Sequence, residues 1–202
     1  MILKICGITN QDDASAAIDA GANALGFNFY PPSPRYISPA QAGEIVTAAG
    51  VRRVGVFVNE RRELVGEIVR AARLDVAQLH GDESPLEFPV SLPVWKALAV
   101  REGFDISLYD HYAVEALLLD GPGAGAEFGG QGKIFDWTLV RETNRKIVLA
   151  GGLNASNVAL AIARVRPWGV DACSRIESTP GKKDHKKMTE FLNAAIAAAI
   201  HV

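Results

Sequence analysis

Two residues in this chain have the chemistry to move protons, and each closes an apolar run. Cys6 ends ILKIC and is followed at once by a glycine. If that run is a strand, alternation puts Lys4 and Cys6 on one side and Leu3 and Ile5 on the other. A lysine ammonium beside a thiol favours the reactive thiolate. On the residue alone, a free cysteine is more often a small buried filler. Asp120 ends EALLLD (115–120). Desolvation at the top of an apolar strand favours a carboxylic acid able to donate its proton. An N-cap or a salt bridge is the commoner fate of such an aspartate.

Other residues have the chemistry to hold an anion. Arg35 sits in FYPPSPRYIS (29–38), where prolines limit the conformations of the loop. A guanidinium held on a stiff loop can grip a carboxylate with two hydrogen bonds, although a solvated surface arginine is equally common. The segment 121–137 is rich in glycine, and its GGQG run includes Gly130 and Gly132. Glycine-rich backbone can aim successive N–H groups at an anion. No GK[ST] follows, so this is not a Walker loop. Gly151 and Gly152 permit close backbone approach, and Ser174 and Arg175 open a candidate short helix with a cation on it. Asp171 is a second inward carboxylate, placed to pair with Lys4 or to hold substrate hydroxyls. His80 is expected to line a rim with local hydrogen bonds, and Gln78 to fill interior space.

These residues need elements to position them. Strand candidates occur at 2–6, 24–29, 52–58, 76–80, 94–100, 114–120, 146–150 and 168–174. Amphipathic or alanine-rich segments alternate with them at 11–20, 39–49, 60–72, 83–90, 103–110, 136–143, 156–164 and 184–200; the one at 83–90 is broken by prolines. Strands alternating with helices imply parallel βαβ units, and near-continuous apolar strands imply burial on both faces. Eight such units predict an α/β fold, a single (β/α)8 TIM barrel spanning 1–202, with an open α/β sheet as the alternative. In a barrel, function collects where strands end, and phosphate sites form after strands 7 and 8. Gly151, Gly152, Ser174 and Arg175 fall there.

The totals narrow the function classes. The chain has 202 residues, with 21 basic against 23 acidic. That balance gives no electrostatic case for a nucleic acid or an anionic membrane partner. No apolar run reaches about 18 residues, the length of a membrane span. The N-terminus lacks the features of a secretory signal, and two cysteines make no disulfide framework and no metal spacing. A cytoplasmic setting is expected. Monomer and homodimer both remain open.

KICGITN, GFNFYPPSPRYIS, GVFVN, QLHGDE, LLLDG, GGQGKIFDW, LAGGLNASNV and ESTPGKKD together resemble the N-(5′-phosphoribosyl)anthranilate isomerase family of tryptophan biosynthesis. The motifs span residues 4 to 184, and KICG, SPRYIS and GGxGKxFDW in this order are specific. The resemblance implies an Amadori rearrangement of a small phosphorylated substrate, without metal or organic cofactor. It implies Cys6 as general base, Asp120 as general acid and Arg35 as the anthranilate carboxylate site. The GGQG, AGG and post-strand-8 segments would form the phosphate cradle.

One segment departs from the family pattern. After strand 8 the commonest family sequence is serine–serine–glycine–valine–glutamate, whereas this chain reads Cys173, Ser174, Arg175, Ile176, Glu177. Arg175 would add a charge to the cradle. Cys173 would lie near Cys6 once the barrel closes, which predicts oxidative inactivation through the pair. Two other readings compete: a related sugar-phosphate isomerase or epimerase on the same barrel, and a phosphoribosyl-ligand binder without turnover. The presence of both Cys6 and Asp120 argues against the second.

Overall fold

The computed structural model describes residues 1–88, 91–121, 134–140 and 142–200. Eight parallel strands close into a barrel in chain order, β8 pairing back onto β1. They are β1 (Ile2–Cys6), β2 (Ala24–Asn28), β3 (Arg52–Phe57), β4 (Val76–Leu79), β5 (Val94–Ala99), β6 (Ala116–Asp120), β7 (Ile147–Leu149) and β8 (Gly169–Ala172). All eight expected strands are present, each shorter than or equal to its expected span, and the closed barrel replaces the open-sheet alternative.

Alternation splits the apolar residues into two cores. Ala24, Val54, Val76, Trp95, Ala97, Ala116, Leu118, Val148 and Ala150 fill the barrel interior. Ile5, Leu25, Phe27, Leu117, Leu119, Leu149 and Val170 belong to the layer under the helices. On β1, Leu3 and Ile5 point outward, as the pattern predicts, and Lys4 is fully buried. The alternation on β6 puts Leu117 and Leu119 outside, so Ala116, Leu118 and Asp120 face in.

Five α-helices cover the outside: α1 (Gln11–Asp19), α2 (Pro39–Glu44), α3 (Arg62–Ala71), α4 (Val158–Val165) and α5 (His185–Ala199). α1 is capped by Asn10, whose side chain accepts from the Asp13 N–H, and α5 is capped likewise by Asp184. α2 is shorter than the expected 39–49. It ends because the Arg53 guanidinium, buried on the outer face of β3, takes the carbonyls of Ala42 and Ile45, along with that of Ala72 after α3. A cation there satisfies two helix C-termini at once.

The three helical segments expected at 83–90, 103–110 and 136–143 are only short 3₁₀ turns, at 85–87, 106–109 and 137–139. Pro85 starts the first, and Pro89 directly follows the extended Phe88, which holds that residue out of the helical region. An aromatic cluster stands where helices would lie. Phe88 meets Tyr112 edge-on at 5.6 Å, Tyr109 meets Tyr112 at 5.3 Å, and Phe104 stacks on Tyr109 at 6.0 Å. The Arg145 guanidinium donates to the carbonyls of Asp110 and Tyr112 at 2.9 and 2.8 Å, so irregular backbone is satisfied without a helix.

After β8 the chain makes a 3₁₀ turn at Ser174–Ile176, as the sequence predicts, then a two-stranded hairpin of β9 (Glu177–Thr179) and β10 (Lys182–Lys183). Asp13 of α1 ties the hairpin down. It accepts from the Lys183 N–H at 2.9 Å, and its other oxygen lies 2.8 Å from His185 Nε2.

Candidate active site

A pocket opens at the C-terminal ends of the strands. It is lined by Cys6, Arg35, Gln78, His80, Asp120, Gly151, Gly152, Asp171, Cys173, Ser174 and Arg175. Every sequence-predicted site residue within the described chain therefore reaches one cavity. Gly130 and Gly132 lie outside the described residues.

Lys4 and Cys6 point inward from β1. Register places Lys4 beside Asp171 of β8, and the Lys4 ammonium donates to Asp171 Oδ2 at 2.9 Å. Burial pulls the Lys4 pKa down, but the Asp171 carboxylate and then Cys6 more than offset this and leave it raised. Burial pushes Asp171 up to about 7, against the pull of Lys4 and with help from Cys6. Asp171 Oδ1 is buried without a hydrogen-bond partner among the described residues. Gly26 of β2 makes room for this cluster. A Cβ there would sit 2.7 Å from Cys6 Sγ and 3.0 Å from Lys4 Nζ.

Cys173 follows β8 as Cys6 ends β1, one register step beyond the Ile5–Ala172 pair. Its thiol stands beside that of Cys6, and both line the same cavity. The neighbouring Cys173 thiol, then Lys4 and Lys183, acting against burial, bring the Cys6 pKa well below its ordinary value. The Cys173 pKa rises well above its own, through the neighbouring Cys6 and burial.

Arg35 lays its Cγ and Cδ over Gly7 and pairs its guanidinium with Glu177 through two nitrogens, Nε at 2.9 Å and Nη2 at 2.8 Å. Glu177 also accepts from the buried Lys183 ammonium at 2.9 Å. Burial opposes ionisation of Glu177, yet the Arg35 hydrogen bonds and Lys183 keep its pKa low. The sequence reading gave Glu177 and Lys183 no role. The available signal was the Pro180–Gly181 turn between them, which folds the two charges back onto each other.

On the far side of the mouth, three strands round from β1, Asp120 ends β6. Asp120 Oδ1 accepts from the Gly121 N–H at 2.7 Å, and Oδ2 lies 3.4 Å from His80 Nε2. His80 Nδ1 is 2.9 Å from Gln78 Nε2. Gln78 Oε1 is buried without a partner among the described residues. His80 thus lines the mouth with a local hydrogen bond, as expected, and Asp120 stands beside it. Gln78 and His80 lie two positions apart at the end of β4, a spacing that aims both side chains at one place.

Gly151 and Gly152 both take left-handed backbone, with φ of 81° and 67°. They turn the chain after β7 and, with Ser174, line the same pocket. Arg175 is exposed at the edge of the pocket.

The model of the N-(5′phosphoribosyl)anthranilate (PRA) isomerase family matches residues 3–194. An N-(5′-phosphoribosyl)anthranilate isomerase of Solibacter usitatus is 62% identical over 198 residues, covering 98% of each chain. The crystal structure of phosphoribosyl anthranilate isomerase from Thermotoga maritima superposes with a TM-score of 0.89 at 42% identity, covering 98% of this chain and 100% of that one. A further crystal structure of a phosphoribosyl anthranilate isomerase, in complex with reduced 1-(o-carboxyphenylamino)-1-deoxyribulose 5-phosphate, matches with a TM-score of 0.86 at 40% identity over 98% of this chain and 100% of that one.

Proposed function

The chain belongs to the N-(5′-phosphoribosyl)anthranilate isomerase family, and from that premise we propose how its residues carry the reaction. The enzyme converts N-(5′-phosphoribosyl)anthranilate to 1-(2-carboxyphenylamino)-1-deoxyribulose 5-phosphate in tryptophan biosynthesis. Asp120 protonates the ribose ring oxygen, and the ring opens to a Schiff-base cation. The Cys6 thiolate then removes the proton on C2′, which the adjacent iminium acidifies. The resulting enolamine tautomerises to the ketone. An acid and a base facing the same substrate from two strand ends supply both proton transfers.

The carrying observation is that Cys6 and Asp120 line one cavity with different surroundings. Cys6 is held as an anion by a donor thiol and a lysine, while Asp120 faces an imidazole and one backbone N–H. Arg35 takes the anthranilate carboxylate while Glu177 fixes the guanidinium plane. Gly151, Gly152 and Ser174 offer backbone N–H groups to the phosphate, with Gly130 and Gly132 completing the cradle and Arg175 adding charge at its edge. Asp171 Oδ1, buried and unpartnered, accepts from a ribose hydroxyl. No helix among the described residues is long and apolar enough to cross a membrane, and a reducing, cytoplasmic setting suits the free thiolate.

The decay of anthranilate fluorescence on freshly generated substrate tests these roles. Cys6→Ala and Asp120→Asn should each lower kcat by about 10²–10⁴-fold with a smaller change in KM. Near-wild-type kcat in both variants would overturn the assignment.

A further inference from the structure

We propose that Cys173 is a positioning residue for the base, its thiol donating a hydrogen bond that keeps the neighbouring Cys6 sulfur an anion in front of the substrate. The proposal rests on Cys6 being the base and adds to it a partner outside the proton-transfer chemistry.

Geometry places the two thiols side by side. β1 and β8 are paired neighbours in parallel register, and the two cysteines follow the last paired residues, Ile5 and Ala172. Both sulfurs face the same cavity, and the space above Gly7 is shared by the Cys173 sulfur and the Arg35 side chain.

The charges around the pair decide which sulfur holds the proton. From β1, Lys4 faces Cys6, its ammonium and the Cys6 sulfur crowding the same point over Gly26. From β8, Asp171 pairs with Lys4, and it feels Asp120 across the mouth. Burial leaves that carboxyl at about 7, so it neutralises Lys4 only in part near neutrality. From the hairpin, Lys183 Nζ lies 4.0 Å from Cys173 Sγ, but it also sits 2.9 Å from the firmly ionised Glu177. Glu177 also holds Arg35, which adds its charge from the loop after β2. These cations favour one negative charge on the dithiol. Two neighbouring, half-buried thiols cannot both ionise cheaply, so they share one proton between them. With Lys4 on its side, Cys6 takes the charge, and Cys173 keeps the proton and donates it to a hydrogen bond. Donation to the charged form stabilises that form. When Cys6 accepts the substrate proton it becomes a neutral thiol, and the bond from Cys173 weakens as the charge leaves.

The chain has two cysteines, so Cys173→Ala and Cys173→Ser each leave Cys6 as the sole thiol. Iodoacetamide alkylation of Cys6 is measured across roughly pH 5 to 9 without substrate, beside the pH profile of kcat/KM. In Cys173→Ala the alkylation midpoint should move up by about one pH unit, making alkylation about tenfold slower on the acid side. The acidic limb of kcat/KM should move with it. Cys173→Ser keeps a donor and should restore the midpoint to within about threefold in rate at the same pH. Equal midpoints in the alanine and serine variants would overturn the proposal, whether or not they match wild type. An equal shift in both would assign the effect to packing, because the serine has a hydroxyl to donate. Both variants should fold, since Cys173 is only half-buried. The test also separates the two claims. Retained kcat in Cys6→Ala would remove the base assignment, whereas the alkylation midpoints judge Cys173 without turnover.

Discussion

The two sides of the barrel mouth are built on different plans. The base side is a buried charged network. Lys4, Asp171 and the two thiols form one part of it, and Arg35, Glu177 and Lys183 form the other. Its members come from β1, β8, the loop after β2 and the hairpin after β8. Among the described residues the acid side is sparser: Asp120 has one backbone N–H and a long contact to His80. The difference follows from what each group must do. An anion kept away from water needs permanent compensation from fixed cations and donors. A proton donor needs support only for the charge that develops on it as it reacts. Substitutions on the base side should therefore affect the folded state and the charge of the site, whereas those on the acid side should affect turnover alone.

The largest effect breaks the base side by chemistry rather than mutation. Hydrogen peroxide should oxidise the Cys6 thiolate to a sulfenic acid, with loss of hydroxide. The Cys173 sulfur then displaces the sulfenic oxygen as water and closes a disulfide. Activity should fall nearly to zero and return with dithiothreitol, and peptide mapping should find the two cysteines joined. In Cys173→Ser no disulfide can form, and excess peroxide should carry the Cys6 sulfenic acid on to the sulfinic acid, which dithiothreitol does not reduce. Reversible inactivation that persists undiminished in that variant would show that the pair is not the target.

Glu177→Ala tests the other half of the network. It leaves Arg35 and Lys183 without their shared carboxylate, and Lys183 is fully inside. Removing one partner of a buried pair costs about 3–5 kcal/mol, which at this chain length lowers Tm by about 10 °C. Asp120→Asn, by contrast, should move Tm by less than about 2 °C while lowering kcat most of the way. Thermal scans of the two variants side by side decide the comparison. Equal Tm losses would mean that the acid side is as much a part of the folding core as the base side.

How far the sequence disclosed this arrangement depended on how local each signal was. The strands were legible because β-branched and apolar runs alternate with helical stretches. Period-two alternation placed Lys4 and Cys6, and the end of an apolar run placed Asp120, without any knowledge of their neighbours. The helical segments at 83–90, 103–110 and 136–143 were over-read. In the first, prolines override a weak helical pattern; in the second, the aromatic cluster of Phe88, Tyr109 and Tyr112 does so, and Arg145 completes the backbone from 31 or more positions away. Glu177 and Lys183 were invisible for a similar reason. Glu177 acquires its role from Arg35, 142 positions distant in the chain. No local pattern reveals a partner of that kind, although the charge it carries is plain in the sequence.

The smallest effect sharpens the acid side. If the Gln78 amide nitrogen donates to His80 Nδ1, the ring proton lies on Nε2 and faces Asp120 Oδ2 at 3.4 Å. That distance is long for a hydrogen bond at rest, but it can tighten as Asp120 gives up its proton and gains charge. A donor of this kind acts on the developing carboxylate and contributes to kcat more than to substrate binding. His80→Phe, which keeps the ring's bulk and removes its donor, should lower kcat by about tenfold, or about 1.4 kcal/mol of barrier. KM and Tm should stay close to wild type. A kcat loss as deep as that of Asp120→Asn would instead make the imidazole a proton donor in its own right. No loss would leave Asp120 to work with the Gly121 N–H alone, and the acid side would be simpler still.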